Sequence, residues 1–215
     1  MRAKFFWWIY LVLLAIVFIF MLGTLGAPRW AWQENSNDDV WEAGLTSITK
    51  SDFDQVDEDP FDDILDDGDT CDSDISIFDE WCDQIQTLLD GGAAFITFEL
   101  ITMIFLGLWA LLLLLEICAK PLPVYLGYVP PIVTFFFHFL GFVCWAGVTE
   151  AKFEDSCDEI SGDDKEDMCT GEGPALALFL FFVLLFMNAI FVVLWVMKGR
   201  GKPEDEKESG SASAY

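Results

Sequence analysis

Four uninterrupted apolar runs, at 5–23, 93–117, 132–148 and 175–197, dominate the pattern and carry two carboxylates between them, Glu99 and Glu116. A helix rises 1.5 Å per residue, so a hydrocarbon core of ~30 Å needs ~20 such residues. Each run therefore predicts one transmembrane helix, the short third one extending through Pro131 or into Thr149. The runs lack the apolar–polar alternation of barrel strands, and in hydrocarbon only helices or closed barrels satisfy the backbone. The expected fold class is an all-α membrane protein, a four-helix transmembrane bundle. Its connections are two polar loops at 24–92 and 149–174 and a short one at 118–131, with 1–4 and 198–215 as terminal segments.

Lys and Arg near span ends set orientation. Arg2 and Lys4 precede the first run, Lys120 sits in the short connection, and Lys198, Arg200 and Lys202 follow the fourth. One topology places all six in the cytoplasm, with both termini there and 24–92 and 149–174 outside, most simply at the plasma membrane. Trp7, Trp8 and Tyr10 near one end of the first run, and Trp30 and Trp32 beyond the other, are expected as interfacial anchors. The first run is longer than the apolar part of a signal peptide, which favours an uncleaved span over a cleaved leader.

Charge follows the same segregation. The formal net charge is −25, yet apolar residues make up 54% of the 215. Residues 24–92 hold 20 Asp and Glu against Arg29 and Lys50, and 150–173 hold 10 against Lys152 and Lys165. Such a balance argues against nucleic acid, whose phosphates need clustered Lys and Arg. It favours inorganic cations, basic protein surfaces or plain solubility in salty surroundings. The apolar runs make membrane lipids and other integral membrane proteins (an ion channel, a receptor or a second copy of the chain) the expected partners.

Cys71 and Cys82 fall in the first polar loop and Cys157 and Cys169 in the second, an even pair each on the oxidising side. Three pairings are possible. Cys71–Cys82 and Cys157–Cys169 are favoured, because each closes a short local loop. Cys144 reads as a small apolar residue, and Cys118 as a membrane-edge thiol open to palmitoylation. Residues 40–48 and 75–81 suit strands by their β-branched and aromatic content, whereas 51–70 reads as a mobile acidic loop and 198–215 as a flexible tail.

Trp30 after the first span, Gly44-Leu45, and Cys71 and Cys82 ahead of the second span resemble the claudin superfamily, which includes peripheral myelin proteins and calcium-channel γ subunits. Thr46 stands where that family has a second Trp, and Leu45 and Cys71 are unusually far apart. The resemblance implies a four-helix bundle topped by a small antiparallel sheet from both outer loops. It also implies a non-enzymatic accessory or adhesion component.

Three polar residues lie inside the apolar runs: Glu99, His138 and Asn188. Depth counted from the nearer run ends puts Glu99 roughly 9 Å below the outer boundary, and His138 roughly 9 Å and Asn188 roughly 13 Å above the inner one. His138 and Asn188 thereby lie at similar depth and could hydrogen-bond, leaving Glu99 without an ionisable partner at its own depth: protonated, bonded to a backbone carbonyl or a hydroxyl, or turned toward another subunit. Glu116 is expected to pair with Lys120. Gly91, Gly92, Ala93 and Ala94 would admit a close backbone. Asp66, Asp67, Asp69, Asp72 and Asp74 suggest weak calcium binding, although the spacing does not fit an EF-hand. No catalytic constellation or other cofactor motif is evident. The alternative to an accessory role is a cation-selective paracellular or oligomeric channel component using the acidic loops. Ser213-Ala214-Tyr215 is a weak candidate for strand addition to a PDZ domain.

Overall fold

Helix burial in this chain follows steps of three and four residues. In α1 (Arg2–Leu25) the buried positions are Trp7, Tyr10, Leu14, Val17, Met21 and Thr24, and in α4 (Glu172–Arg200) they are Ala177, Leu180, Leu184, Met187, Phe191 and Trp195. That alternation is the seam of helices packed at small crossing angles. α2 (Ser76–Cys118) and α3 (Val129–Thr149) carry the same rhythm, and a 3-10 turn at Val124–Gly127 leads into α3. Segments Phe5–Leu25, Cys82–Cys118, Val129–Thr149 and Glu172–Met197 are each long and apolar enough to cross a membrane. The computed structural model describes residues 2–34, 40–52, 55–60, 76–118, 124–150 and 169–200.

Contacts between α1 and α2, α2 and α3, α3 and α4, and α4 and α1 close the four helices into a bundle. α2 and α3 share the most extensive interface. Gly141 explains part of it, since a Cβ there would stand 3.1 Å from the Phe98 Cβ, close enough to push the two helices slightly apart. α3 opens with Pro130 and Pro131 in its first turn, where a missing N–H breaks no helical bond. It stops at Glu150, the one described non-glycine residue with positive φ (50°).

One end of the bundle carries a five-stranded antiparallel sheet in the order β4-β3-β2-β1-β5. Its strands are β1 (Ala31–Glu34), β2 (Val40–Ala43), β3 (Ser47–Asp52), β4 (Gln55–Pro60) and β5 (Cys169–Thr170). Four come from the first long connection and β5 from the second, so both polar loops build the sheet as expected. Trp30 ties sheet to bundle. Its indole N–H donates to the Thr24 carbonyl at 3.0 Å, its amide donates to Ala43 at 2.7 Å, and its carbonyl accepts from Gly171 at 3.0 Å. Leu45 lies directly on Gly92, whose α position leaves no room for a Cβ beside the Leu45 carbonyl.

Several expectations need correction. Residues 76–81 are helix, not strand, because the 3–4 burial rhythm of α2 continues outward through Leu88, Ile85 and Cys82. The expected strand at 40–48 is two strands, separated by a turn in which the Gly44 amide donates to Ser47 at 2.8 Å. Residues 55–60 are strand β4 rather than loop, paired along their length with β3. Trp7, Tyr10 and Trp30 are not interfacial anchors: all three are buried, at 7%, 4% and 0% exposure. Helix α4 also runs on to Arg200, so the tail begins later than residue 198.

Candidate functional site

Two apolar clusters fill the bundle. Near the sheet, Trp30, Leu45, Phe95, Trp145 and Ala177 pack together, with the Trp30 ring 4.4 Å from Phe95 and 5.1 Å from Trp145. Toward the other end, Trp7, Tyr10, Trp109, Phe191 and Trp195 form a second cluster, with Phe191 and Trp195 stacked at 5.3 Å. Tyr10 anchors α1 there by donating its hydroxyl hydrogen to the Met187 carbonyl.

A polar layer separates these clusters. Glu99 sits on the buried seam of α2, one turn below Phe95, and His138 sits on that of α3. His138 Nδ1 and Glu99 Oε2 are 2.8 Å apart, and His138 Nε2 lies 3.0 Å from the Ala177 carbonyl on α4. Both side chains have zero exposure. One imidazole thus joins three helices at a single level.

The partners dictate the protons. A carbonyl only accepts, so Nε2 carries a hydrogen. The contact from Nδ1 to Oε2 then needs one further proton, held either by the ring or by the acid. Imidazolium with carboxylate and imidazole with carboxylic acid are both net neutral, and both keep the same heavy-atom geometry. Loss of that shared proton would set a lone pair against a buried carboxylate, a costly arrangement in low dielectric. The layer is therefore a proton-holding clamp with no net charge. Glu99 Oε1 and the Thr134 hydroxyl have no hydrogen-bond partner among the described residues, while Thr102 donates to the Phe98 carbonyl at 2.8 Å.

This overturns the expected His138–Asn188 pairing and the expectation that Glu99 lacks an ionisable partner. Asn188 falls beside the α4 seam, between Met187 and Phe191, and its amide donates back to the Leu184 carbonyl at 2.9 Å. Rotation about the helix axis, not depth, separates it from His138. Glu99 also faces the interior rather than another subunit. Thr102 and Thr134 are fully buried polar residues that depth counting passed over; their three- and four-residue spacing from Glu99 and His138 was the available signal.

At the sheet end Arg29 pairs with Glu42 of β2. Cys82 and Cys169 are each disulfide-bonded, whereas Cys118 is exposed and free and Cys144 half-buried and free. Cys71 and Cys157 lie outside the described residues, as do Asp66, Asp67, Asp69, Asp72 and Asp74, Lys120 and the tail residues Ser213, Ala214 and Tyr215. Among the described residues no group of three or more His, Cys, Asp or Glu side chains is placed to hold a metal. No family model matches the chain, and no curated protein matches it.

Proposed function

We propose that this chain is a claudin-like, non-enzymatic four-span membrane protein that binds neighbouring membrane proteins as an accessory or adhesion component. In this reading both termini are cytoplasmic, the sheet faces outside the cell at the plasma membrane, and Cys71–Cys82 and Cys157–Cys169 staple its loops. One observation carries it. The bundle interior is filled by Trp7, Trp109, Phe191 and Trp195 on one side of the Glu99–His138 layer and by Trp30, Phe95 and Trp145 on the other. A pathway for ions needs a continuous polar lining, and these rings supply none. The outward faces instead present large apolar side chains such as Phe5, Ile19, Ile104, Phe136 and Phe186. That surface suits lipid and partner helices.

The orientation rests on the Lys and Arg bias at the span ends, and the claudin likeness on Trp30, Gly44-Leu45, Cys71 and Cys82. Trp30, Leu45 and Gly92 join sheet and bundle in one rigid platform, which supports a role in presenting the sheet to a partner. The test pairs two measurements on the full chain: current across a planar bilayer, and co-purification with a stoichiometric membrane partner in mild detergent. Silence in the first with a defined complex in the second is the expected result. Cation current that scales with the reconstituted protein would replace this reading by the channel one.

A further inference from the structure

The geometry points to a binding site for one zwitterionic glycerophospholipid at the junction of sheet and bundle, with its phosphate on Arg29, its ammonium between Glu172 and Trp32, and an acyl chain between α1 and α4. The inference rests on the membrane reading above and adds a ligand to it.

A cavity of about 810 Å³ opens at that junction, lined by Arg29, Trp32, Thr170, Glu172, Leu176 and Phe179 among others. Its lining is polar toward the sheet and apolar toward the helices. A second cavity, of about 600 Å³, runs along α1 and α4 between Phe6 and Phe20 and is lined almost wholly by apolar side chains. Phe179 lines both, so the two volumes are neighbours at that residue. Polar head space over a greasy trough is the shape of a single lipid.

The charges select the headgroup. Arg29 spends one terminal nitrogen on Glu42, while its Nε–H is buried with no acceptor among the described residues. The Arg29 side chain is 39% exposed and lines this cavity, and a guanidinium edge matches an anionic phosphate oxygen. Glu172 lines this space and Glu42 is bonded to Arg29 beside it, in a chain of net charge −25. A headgroup with net negative charge is repelled there. A zwitterion brings its own cation, which Glu172 attracts and the Trp32 ring accepts on its face.

The trough is long enough for one acyl chain. Along α1 it spans roughly 21 Å. Its length covers the ~15 Å depth of one leaflet.

Native mass spectrometry of the full chain released from nanodiscs of equal phosphatidylethanolamine and phosphatidylglycerol tests the site. The expected spectrum shows one retained lipid per chain, with phosphatidylethanolamine enriched at least about tenfold over phosphatidylglycerol. Arg29→Gln removes the phosphate contact, and Ala175→Trp, at an exposed lining position, plugs the cavity without touching Arg29. Each should abolish the adduct, so a folding defect in one leaves the other informative. Equal retention by wild type and both variants, or retention in the bulk ratio, would mean annular lipid and overturn the site. Liposome flotation separates the two levels of inference. A chain that floats but keeps no lipid overturns the site alone, and a chain that does not float overturns the membrane reading with it.

Discussion

Removing both halves of the Glu99–His138 clamp should destabilise the bundle by clearly less than the sum of the two single removals. The two groups sit 2.8 Å apart with zero exposure, so a lone survivor has no water to turn to. Glu99→Leu leaves Nδ1 unpaired, and His138→Leu leaves the whole carboxyl unpaired; each should cost about 1–3 kcal/mol. The double variant replaces both partners by apolar groups and should cost less than the sum, with a coupling of about 1–2 kcal/mol. That lies above the ~0.6 kcal/mol average of interhelical polar contacts in membranes, because neither group here has any exposure. Glu99→Gln keeps an N–H donor toward Nδ1 and should cost under about 1 kcal/mol. Unfolding of wild type and the four variants in detergent, followed by near-ultraviolet circular dichroism of the buried tryptophans, measures all terms. A coupling within about 0.3 kcal/mol of zero would refute the clamp. A coupling of about 3–5 kcal/mol with an equally damaging Glu99→Gln would refute its tolerance of a neutral donor and make it an obligate ion pair.

Two further outcomes test how the sheet and the helices are held. Gly92→Val drives a side chain into the Leu45 carbonyl and should lower stability by about 1–3 kcal/mol, read as a shift in the unfolding midpoint of the purified protein. Tyr10→Phe deletes one hydroxyl donor to Met187 while leaving its ring against Trp109 and Phe191, and should cost only about 0.5–1.5 kcal/mol in the same assay.

The four helices were legible because their apolar runs are long and their connections acidic. The inward face of each was not. In α1 the exposed Phe5, Ile9, Val12 and Ile19 are as apolar as the buried Leu14, Val17 and Met21, so hydrophobicity marks no side. The sheet was legible in outline, through the β-branched and aromatic residues of 40–48. Strand β4 was not, because Asp57, Glu58 and Asp59 fit poorly with strand propensity and only pairing with β3 holds them extended. Residues 76–81 erred the other way, their Ile, Phe and Trp content suggesting a strand where helix α2 had already begun.

The polar layer shows why depth counting misled. Glu99 and His138 lie equally far from opposite ends of runs of unequal length, and depth alone carries no rotation. Stepping by three and four residues from Gly91 along α2 passes through Phe95, Glu99, Thr102, Leu106 and Trp109; the same stepping along α3 passes through Thr134, His138, Gly141 and Trp145. Those two stripes contain every fully buried polar residue of α2 and α3, and antiparallel packing through Gly91 against Trp145 brings Glu99 level with His138. Asn188 follows Met187 and misses the matching stripe on α4 by one residue. A single position of rotation, about 100° around a helix of 3.6 residues per turn, thus separates a residue that clamps three helices from one that bonds only to its own.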